Sequence, residues 1–67
     1  MSIARVTEIT SSSTKSLEDA IAIGLNRAVR TLQNVEGVWI REQKIMIEDG
    51  RIASYRVNMQ VTFSLTD

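Results

Sequence analysis

The stretch "RIASYRVNMQVTFSL", residues 51–65, decides the fold because apolar and polar side chains alternate along it with a period of two. Polar residues occupy every even position from 54 to 64. The apolar members of the pattern are Ala53, Tyr55, Val57, Met59, Val61, Phe63 and Leu65. Such alternation predicts a long strand with one face in the core and the other face toward solvent.

A β-hairpin is predicted immediately before this strand. The pair Asp49-Gly50 favours a two-residue turn, because both turn positions need a positive φ that Asp and Gly tolerate. The preceding strand is therefore predicted to run from Val38 to Glu48. The two strands form the longest local unit of the chain.

The simplest register continues the pairing outward from this turn without interruption. It predicts three cross-strand pairs: Gln43 with Arg56, Arg41 with Asn58, and Trp39 with Gln60. Trp39, the single tryptophan, then lies on the polar face. The same register brings Glu42 and Lys44 to the core face, where charged side chains are unfavourable. Either a bulge near Gln43 or an overhang of the hairpin beyond the helix would relieve this conflict.

The N-terminal half of the chain predicts one strand and one helix. The segment "IARVTEIT", residues Ile3 to Thr10, mixes β-branched and polar residues as strands do. A helix is predicted from Leu17 to about Asn34, with Ser16 as its N-cap. Its core stripe recurs at spacings of three and four: Leu17, Ala20, Ile21, Gly24, Leu25, Ala28, Val29 and Leu32. The resulting fold class is α+β with the order β-α-β-β, in one domain over residues 1–67.

Size and composition favour self-association. A chain of 67 residues is near the lower limit for folding alone, and it has neither cysteine for disulfides nor histidine for a usual zinc site. The predicted hairpin is also longer than the helix, so apolar strand surface is left uncovered. Ile23 lies on the helix face opposite the core stripe and is either a further contact or a tolerated surface residue. We therefore expect a homo-oligomer.

Several functional classes are disfavoured by the same composition. Eight basic residues balance eight acidic ones with no basic run, so we expect no nucleic-acid partner. The apolar segments are too short to span a membrane, and no leader is recognisable, so we expect a cytoplasmic protein. No acid/base couple is recognisable, and we expect a non-enzyme.

The chain resembles the dodecins over nearly its whole length. The resemblance is carried by "VTEITSSSTKSLEDAIAIGLNRAVRTLQNV" and by the closing "YRVNMQVTFSL". It implies a subunit whose three-stranded antiparallel sheet wraps around one helix, and a shell of twelve copies. Many family members bind flavins, with the isoalloxazine ring stacked on a tryptophan in the second strand and hydrogen-bonded by a glutamine in the third.

The residues at these two ligand positions differ from the family pattern. In an ungapped match the family tryptophan falls on Gly37 and the glutamine on Arg56. Trp39, two residues later, is on the same strand face and either replaces the stacking platform or fills the site. Arg56 can donate to a ring carbonyl or a phosphate. The candidate flavin-binding residues, for riboflavin or FMN, are Trp39, Arg56, Gly37, Arg41 and Gln43.

The alternative is a flavin-free assembly with a structural or cation-binding role, since some dodecin-like proteins lack the flavin residues. Glu48 and Asp49 can help to bind a divalent cation if symmetry gathers several copies. The "SSST" segment, residues 11–14, can offer hydroxyls to a phosphate at the helix N-terminus, but a helix cap is the more common use of such serines.

Overall fold

The structure, a computed structural model, describes residues 3–65. It consists of β1 (Ile3–Ser13), α1 (Leu17–Thr31), β2 (Val35–Glu48) and β3 (Arg51–Leu65). The strands form one antiparallel sheet in the order β1-β3-β2. The predicted β-α-β-β subunit with a three-stranded antiparallel sheet and one helix is confirmed. The predicted domain, 1–67, extends past both ends of the described residues.

Strand β3 is central because its alternating pattern supplies the core. The residues that are both buried and hydrophobic are Ala20, Ala28, Val57, Met59 and Val61. Three of these are consecutive odd positions of β3, as the period of two predicts. The helix contributes small residues to this contact, which lets its backbone lie close to the sheet.

Gly24 is the helix residue that most needs to be small. A Cβ built on it would overlap the terminal methyl carbon of Met59 and would lie 3.1 Å from Cβ of Ser11. Met59 is fully buried, so its side chain has little room to move away.

Val29, predicted as part of the core stripe, is 54% exposed. The reason is that α1 faces the sheet with a narrower row of residues, formed by Ala20, Gly24 and Ala28.

The helix begins as predicted and ends earlier. Ser16 caps it, its Oγ accepting from the backbone N–H of Asp19 at 2.9 Å. The helix ends at Thr31 rather than near Asn34, because Leu32 already has an extended backbone, with φ −110° and ψ 141°. Asn34, with a φ of 59°, then turns the chain into β2. Strand β2 accordingly begins at Val35, three residues before the predicted start.

The first strand is longer than its sequence pattern indicates. It continues from Thr10 to Ser13, because the three serines pair with residues 55–57 of β3. Ser11 and Ser13 are buried, and small side chains are what the space beneath the helix accommodates. The "SSST" segment is therefore mostly strand, and the loop before α1 is short.

The hairpin turn is confirmed, and the register beyond it contains bulges. Asp49 and Gly50 have φ values of 50° and 73°. The pairing shifts between Met46 and Ile47, again between Ile40 and Glu42, and again between Val35 and Gly37. A bulge near Gln43 is one of the two predicted ways to keep Glu42 and Lys44 out of the core. A bulge is present two residues away, at Arg41.

The sheet extends well beyond the helix, as predicted. The described residues span 52 × 19 × 13 Å, whereas a helix of the length of α1 spans only ~22 Å. The distal half of the hairpin consequently has no helix over it.

Within residues 3–65, no helix is long and apolar enough to cross a membrane.

Candidate functional site

Trp39 lies on the polar face of the sheet and is 66% exposed. Its cross-strand partner is Gln60, as the simple register predicts, and Gln60 pairs on its other side with Glu8 of β1. Residues directly opposite each other share a face, so Glu8, Gln60 and Trp39 form one row across the sheet. An exposed indole with a carboxamide beside it combines an apolar stacking surface with a hydrogen-bonding group.

Arg41 covers part of the Trp39 ring. Its guanidinium carbon lies 5.6 Å from the ring centroid, which is within the range of a cation–π contact. The predicted pairing of Arg41 with Asn58 is wrong, because Asn58 pairs with Glu42 and Arg41 is the extra residue of the bulge. The bulge releases Arg41 from the ladder and leaves it beside Trp39.

A polar groove of about 280 Å³ lies further along the same face. It is lined by Glu42, Gln43, Lys44, Arg56 and Asn58. The shift in pairing between Met46 and Ile47 places Lys44 opposite Arg56, so two positive charges face each other across the hairpin. Unlike-charged or neutral partners are the favourable arrangement at such positions.

Hydroxyl groups of strand β1 hydrogen-bond to two of the residues that line this groove. Asn58 Nδ2 donates to Thr10 Oγ1 at 3.0 Å, and Arg56 Nε donates to Ser12 Oγ at 3.5 Å. The Arg56 side chain is thereby directed along the polar face. Its guanidinium keeps further N–H groups for an oxygen-rich ligand.

The bulge changes the neighbours of Gln43. Gln43 pairs with Val57 on the core face, so its predicted pairing with Arg56 is wrong. The physical reason is the conflict already visible in the sequence. An extra residue on β3, Ala53, and an extra residue on β2, Arg41, enclose a segment in which Glu42 and Lys44 lie on the polar face while Gln43 and Ile45 lie on the core face. Whether Gln43 contacts a ligand stays a prediction.

Trp39 and Arg56 share the polar face but are not neighbours. Arg56 is four positions along β3 from Gln60, the partner of Trp39. This separation corresponds to ~13 Å. Gly37, on the same face and two residues before Trp39, leaves open space: a Cβ added there would meet no atom within 4 Å.

The hydroxyl groups near the helix N-terminus are used within the subunit. Ser13 Oγ donates to Asp19 Oδ2 at 2.6 Å and accepts from the backbone N–H of Lys15 at 2.9 Å. Ser16 caps α1. Asp19 brings a negative charge to this end of the helix, which disfavours a phosphate site there. The cap is Ser16, outside "SSST", and the three serines of that segment belong to β1.

Two further parts of the subunit expose apolar surface. A groove of about 460 Å³ runs between β1 and α1, and Ile9, Ile23 and Leu32 are among its lining residues. At the distal part of the hairpin the exposed hydrophobic side chains are Ile45, Ile47 and Ile52. Ile23, which the sequence left open as a contact or a tolerated surface residue, is 47% exposed at the edge of the first groove.

Two residues of this region were not among the sequence candidates. Gln60 was recognisable as the partner of Trp39 but was not given a ligand role, and Lys44 was recognised only as a misplaced charge. The charge conflict at Glu42 and Lys44 was the available signal for Lys44.

Within residues 3–65 no three acidic side chains come together as a metal site would require.

Comparisons with known proteins agree with this architecture. A family model described as Dodecin matches residues 3–66. The dodecin from Streptomyces davaonensis is 36% identical, with a TM-score of 0.93 over 98% of this chain and 97% of that chain. An arginine-to-alanine mutant of the Thermus thermophilus dodecin is 27% identical, with a TM-score of 0.94 over 100% of both chains.

A more distant structure is the calcium dodecin of Mycobacterium tuberculosis, described as a calcium-chelating antigen with a novel calcium-binding site. It is 23% identical, with a TM-score of 0.83 over 96% of this chain and 91% of that chain. That similarity establishes a shared fold. No curated protein matches the chain.

Proposed function

The chain belongs to the dodecin family, and from that premise we propose that it is the subunit of a homo-oligomeric shell that binds a flavin between subunits and stores or sequesters it. The shell contains about twelve copies. The observation that carries the proposal is the position of Trp39: an exposed indole on the polar face, with Gln60 beside it. An exposed indole offers an apolar face to a planar ligand or to a neighbouring subunit.

Trp39 serves as the stacking platform for the isoalloxazine ring. The ring is planar and apolar on its faces, and its polar edge carries donors and acceptors. Gln60 is close enough to Trp39 to address that edge, since directly opposite side chains lie about 5 Å apart at Cβ. In this role Trp39 is a platform displaced by two residues from Gly37, the position that the family tryptophan occupies in an ungapped match.

Arg56 contacts the phosphate end of the ligand in this proposal. Its separation of ~13 Å from the Trp39 row is long for a contact to the same ring but suits a group at the end of a flexible ribityl chain. Lys44 lies opposite Arg56 and adds a second positive charge. The spacing therefore favours FMN over riboflavin. Arg41 acts beside the ring. Gln43 borders the groove, although its pairing with Val57 puts its side chain on the core face of the sheet.

Self-association is supported by the uncovered apolar surface. The β1–α1 groove and the isoleucines of the distal hairpin are exposed in the single subunit. Burial of such surface contributes about 25 cal/mol per Å², which makes other copies of the chain favourable partners. The proposed role of this shell is binding and not catalysis. It involves neither a nucleic acid nor a membrane, and we place the shell in the cytoplasm.

The test is a fluorescence titration of riboflavin and FMN with the purified protein, together with its mass by light scattering. A stacked flavin loses fluorescence, so we expect saturable quenching. We also expect about 90 kDa for an assembly of twelve 7.5-kDa chains. A stable monomer or dimer at micromolar concentration would contradict the shell, and unquenched flavin would contradict the binding role.

A flavin-free assembly with a structural or cation-binding role is the second candidate. The contact between Arg41 and Trp39 favours it, because the indole already has a partner on one face. Trp39 would then pack against a neighbouring subunit. Any divalent cation would have to be shared between copies, since residues 3–65 of one subunit gather no acidic cluster. A rise in Tm on adding Ca²⁺ or Mg²⁺, without flavin quenching, would support this candidate.

A further inference from the structure

The core face of the hairpin continues past the end of the helix as an apolar surface. Ile45 lies on this face, and Tyr55 lies opposite it on β3. Two residues further along β2, Ile47 lies opposite Ile52. The three isoleucines are between 43% and 58% exposed. These four residues form a surface, here called the hairpin patch, that has the composition of a core but faces solvent when the subunit is alone.

The groove between β1 and α1 is a concave surface of the same character. Of the described residues that line it, only Arg27 is charged. Ile23 precedes Arg27 by four residues, so the two side chains lie one above the other on the same side of the helix. The lining extends along α1 from Ile23 to Thr31, which corresponds to ~12 Å.

The hairpin patch matches this groove in length and in charge. From Ile45 to the turn residue Asp49 the hairpin covers ~13 Å. Glu48 and Arg51 lie opposite each other, so their charges offset and Asp49 is left as the net charge of the tip. An isoleucine and an acid therefore lie within ~7 Å on the hairpin.

On the helix, Ile23 and Arg27 are separated by ~6 Å along the axis. The two surfaces thus carry the same apolar group at a similar spacing from charges of opposite sign. Such complementarity aligns two surfaces and disfavours other pairings.

The geometry of the sheet excludes a contact between the patch and the groove of the same subunit. Tyr55 pairs with Ser13, the last residue of β1, so Ile47 and Ile52 lie beyond the end of that strand. The groove lies along the earlier part of β1, on the same sheet. A strand does not fold back over its own sheet, so the patch can meet only the groove of another copy. A protruding two-stranded ribbon also fills a groove, which a second groove cannot do.

Resting on the self-association in the proposed function, we infer that the hairpin patch of one copy seats in the β1–α1 groove of the next. Ile47 packs against Ile23, and Asp49 pairs with Arg27. The two surfaces differ, so the contact is head-to-tail: each copy inserts one hairpin and receives another, and a rotation that repeats this contact closes a ring. Trp39 lies on the opposite face of the sheet and stays free for a ligand.

The first experiment uses the absence of cysteine from the chain. Ile23→Cys and Ile47→Cys are made singly and together, light scattering establishes that each protein is assembled, and a short bismaleimide links neighbouring thiols. Ile23→Cys combined with Ser54→Cys is the matched control, because Ser54 pairs with Met46 on the other face of the same hairpin. We expect covalent multimers on a denaturing gel from the Ile23→Cys, Ile47→Cys double variant, and mainly single chains from the two single variants and the control.

The second experiment exchanges the charges. Arg27→Glu and Asp49→Arg should each raise the subunit concentration at half-dissociation about tenfold or more, because each places like charges together. The double variant, in which the pair is reversed, should return to within about threefold of the parent. Lys15→Glu, in the loop before α1, is the control and should assemble as the parent does.

The inference fails if an assembled double-cysteine variant gives no covalent multimers. It also fails if either single variant gives dimers in equal yield, since that result would show a contact between identical surfaces. Additive losses in the charge double variant would separate Arg27 from Asp49. A parent that stays monomeric would instead remove the proposed shell together with this inference, whereas an assembled parent without the predicted link removes only the inference.

Discussion

Lys44 and Arg56 lie directly opposite each other on the polar face of the hairpin. Like charges at such a pair are destabilising by roughly 0.2–1 kcal/mol. We therefore expect Lys44→Gln to raise the free energy of unfolding by about that amount, measured by urea denaturation at a fixed subunit concentration. Lys15→Gln, in the loop before α1, is the control and should have no effect. A loss of stability in Lys44→Gln would show that Lys44 has an anionic partner.

The same two charges predict how binding depends on the ligand and on salt. If Arg56 and Lys44 hold a phosphate, FMN should bind about tenfold or more tightly than riboflavin at low ionic strength, and the preference should shrink as salt is raised. Arg56→Gln should abolish the preference while riboflavin binding remains. Equal affinities for the two flavins at low salt would show that the groove does not receive the phosphate.

Close contact between helix and sheet at Gly24 predicts a sharp steric limit. Gly24→Val should lower the free energy of unfolding by about 2 kcal/mol or more, because its side chain would overlap Met59 and crowd Ser11. Ala22→Val is the control, since Ala22 is exposed on the same helix and the change there costs only the helix propensity of valine, about 0.5 kcal/mol. Equal effects would mean that the helix moves away from the sheet easily.

The two faces of β3 predict opposite tolerance of charge. Val61 is fully buried, so Val61→Asp should abolish folding, as measured by circular dichroism. Ser54→Asp on the other face should cost little unless a subunit contact lies there. If both variants folded equally well, the assignment of the buried face would be wrong.

Trp39→Ala separates the two candidate functions. If Trp39 stacks a flavin, the variant should lose binding, by about 1–3 kcal/mol, with the assembly intact. If Trp39 packs against a neighbouring subunit, the same variant should loosen the shell by roughly 3–5 kcal/mol per buried copy. Light scattering and flavin fluorescence on one sample distinguish these results. Both roles would be contradicted if the Trp39→Ala variant assembled normally and the unmodified protein never quenched flavin fluorescence.

Local patterns were sufficient for the secondary structure of this chain. The period of two in residues 51–65, the Asp49-Gly50 turn and the Ser16 cap each depend on side chains close in sequence, and the structure confirms all three. Element ends were less predictable. Ser11–Ser13 have no apolar alternation, and they join β1 because β3 offers them partners and the helix leaves only a small space beneath it.

The candidate site was predictable in part. That Trp39 lies on the polar face opposite Gln60 follows from counting residues back from the turn, because the two bulges between them offset each other. The pairing of Gln43 and Arg41 could not be obtained by counting, since Gln43 lies between the bulges and Arg41 is the extra residue of one of them. The position of Lys44 opposite Arg56 became apparent only once the register was known.

The sequence by itself determined the order of the elements, the buried face of β3 and the exposure of Trp39, because these depend on periodicity and on turn chemistry over a few neighbouring residues. The tertiary structure decided the bulge at Arg41, the paired charges of Lys44 and Arg56, and the contact of Gly24 with Met59. A bulge forms when the burial gained along the whole hairpin exceeds the local loss of ladder hydrogen bonds. That balance involves side chains on separate elements, which no local pattern contains.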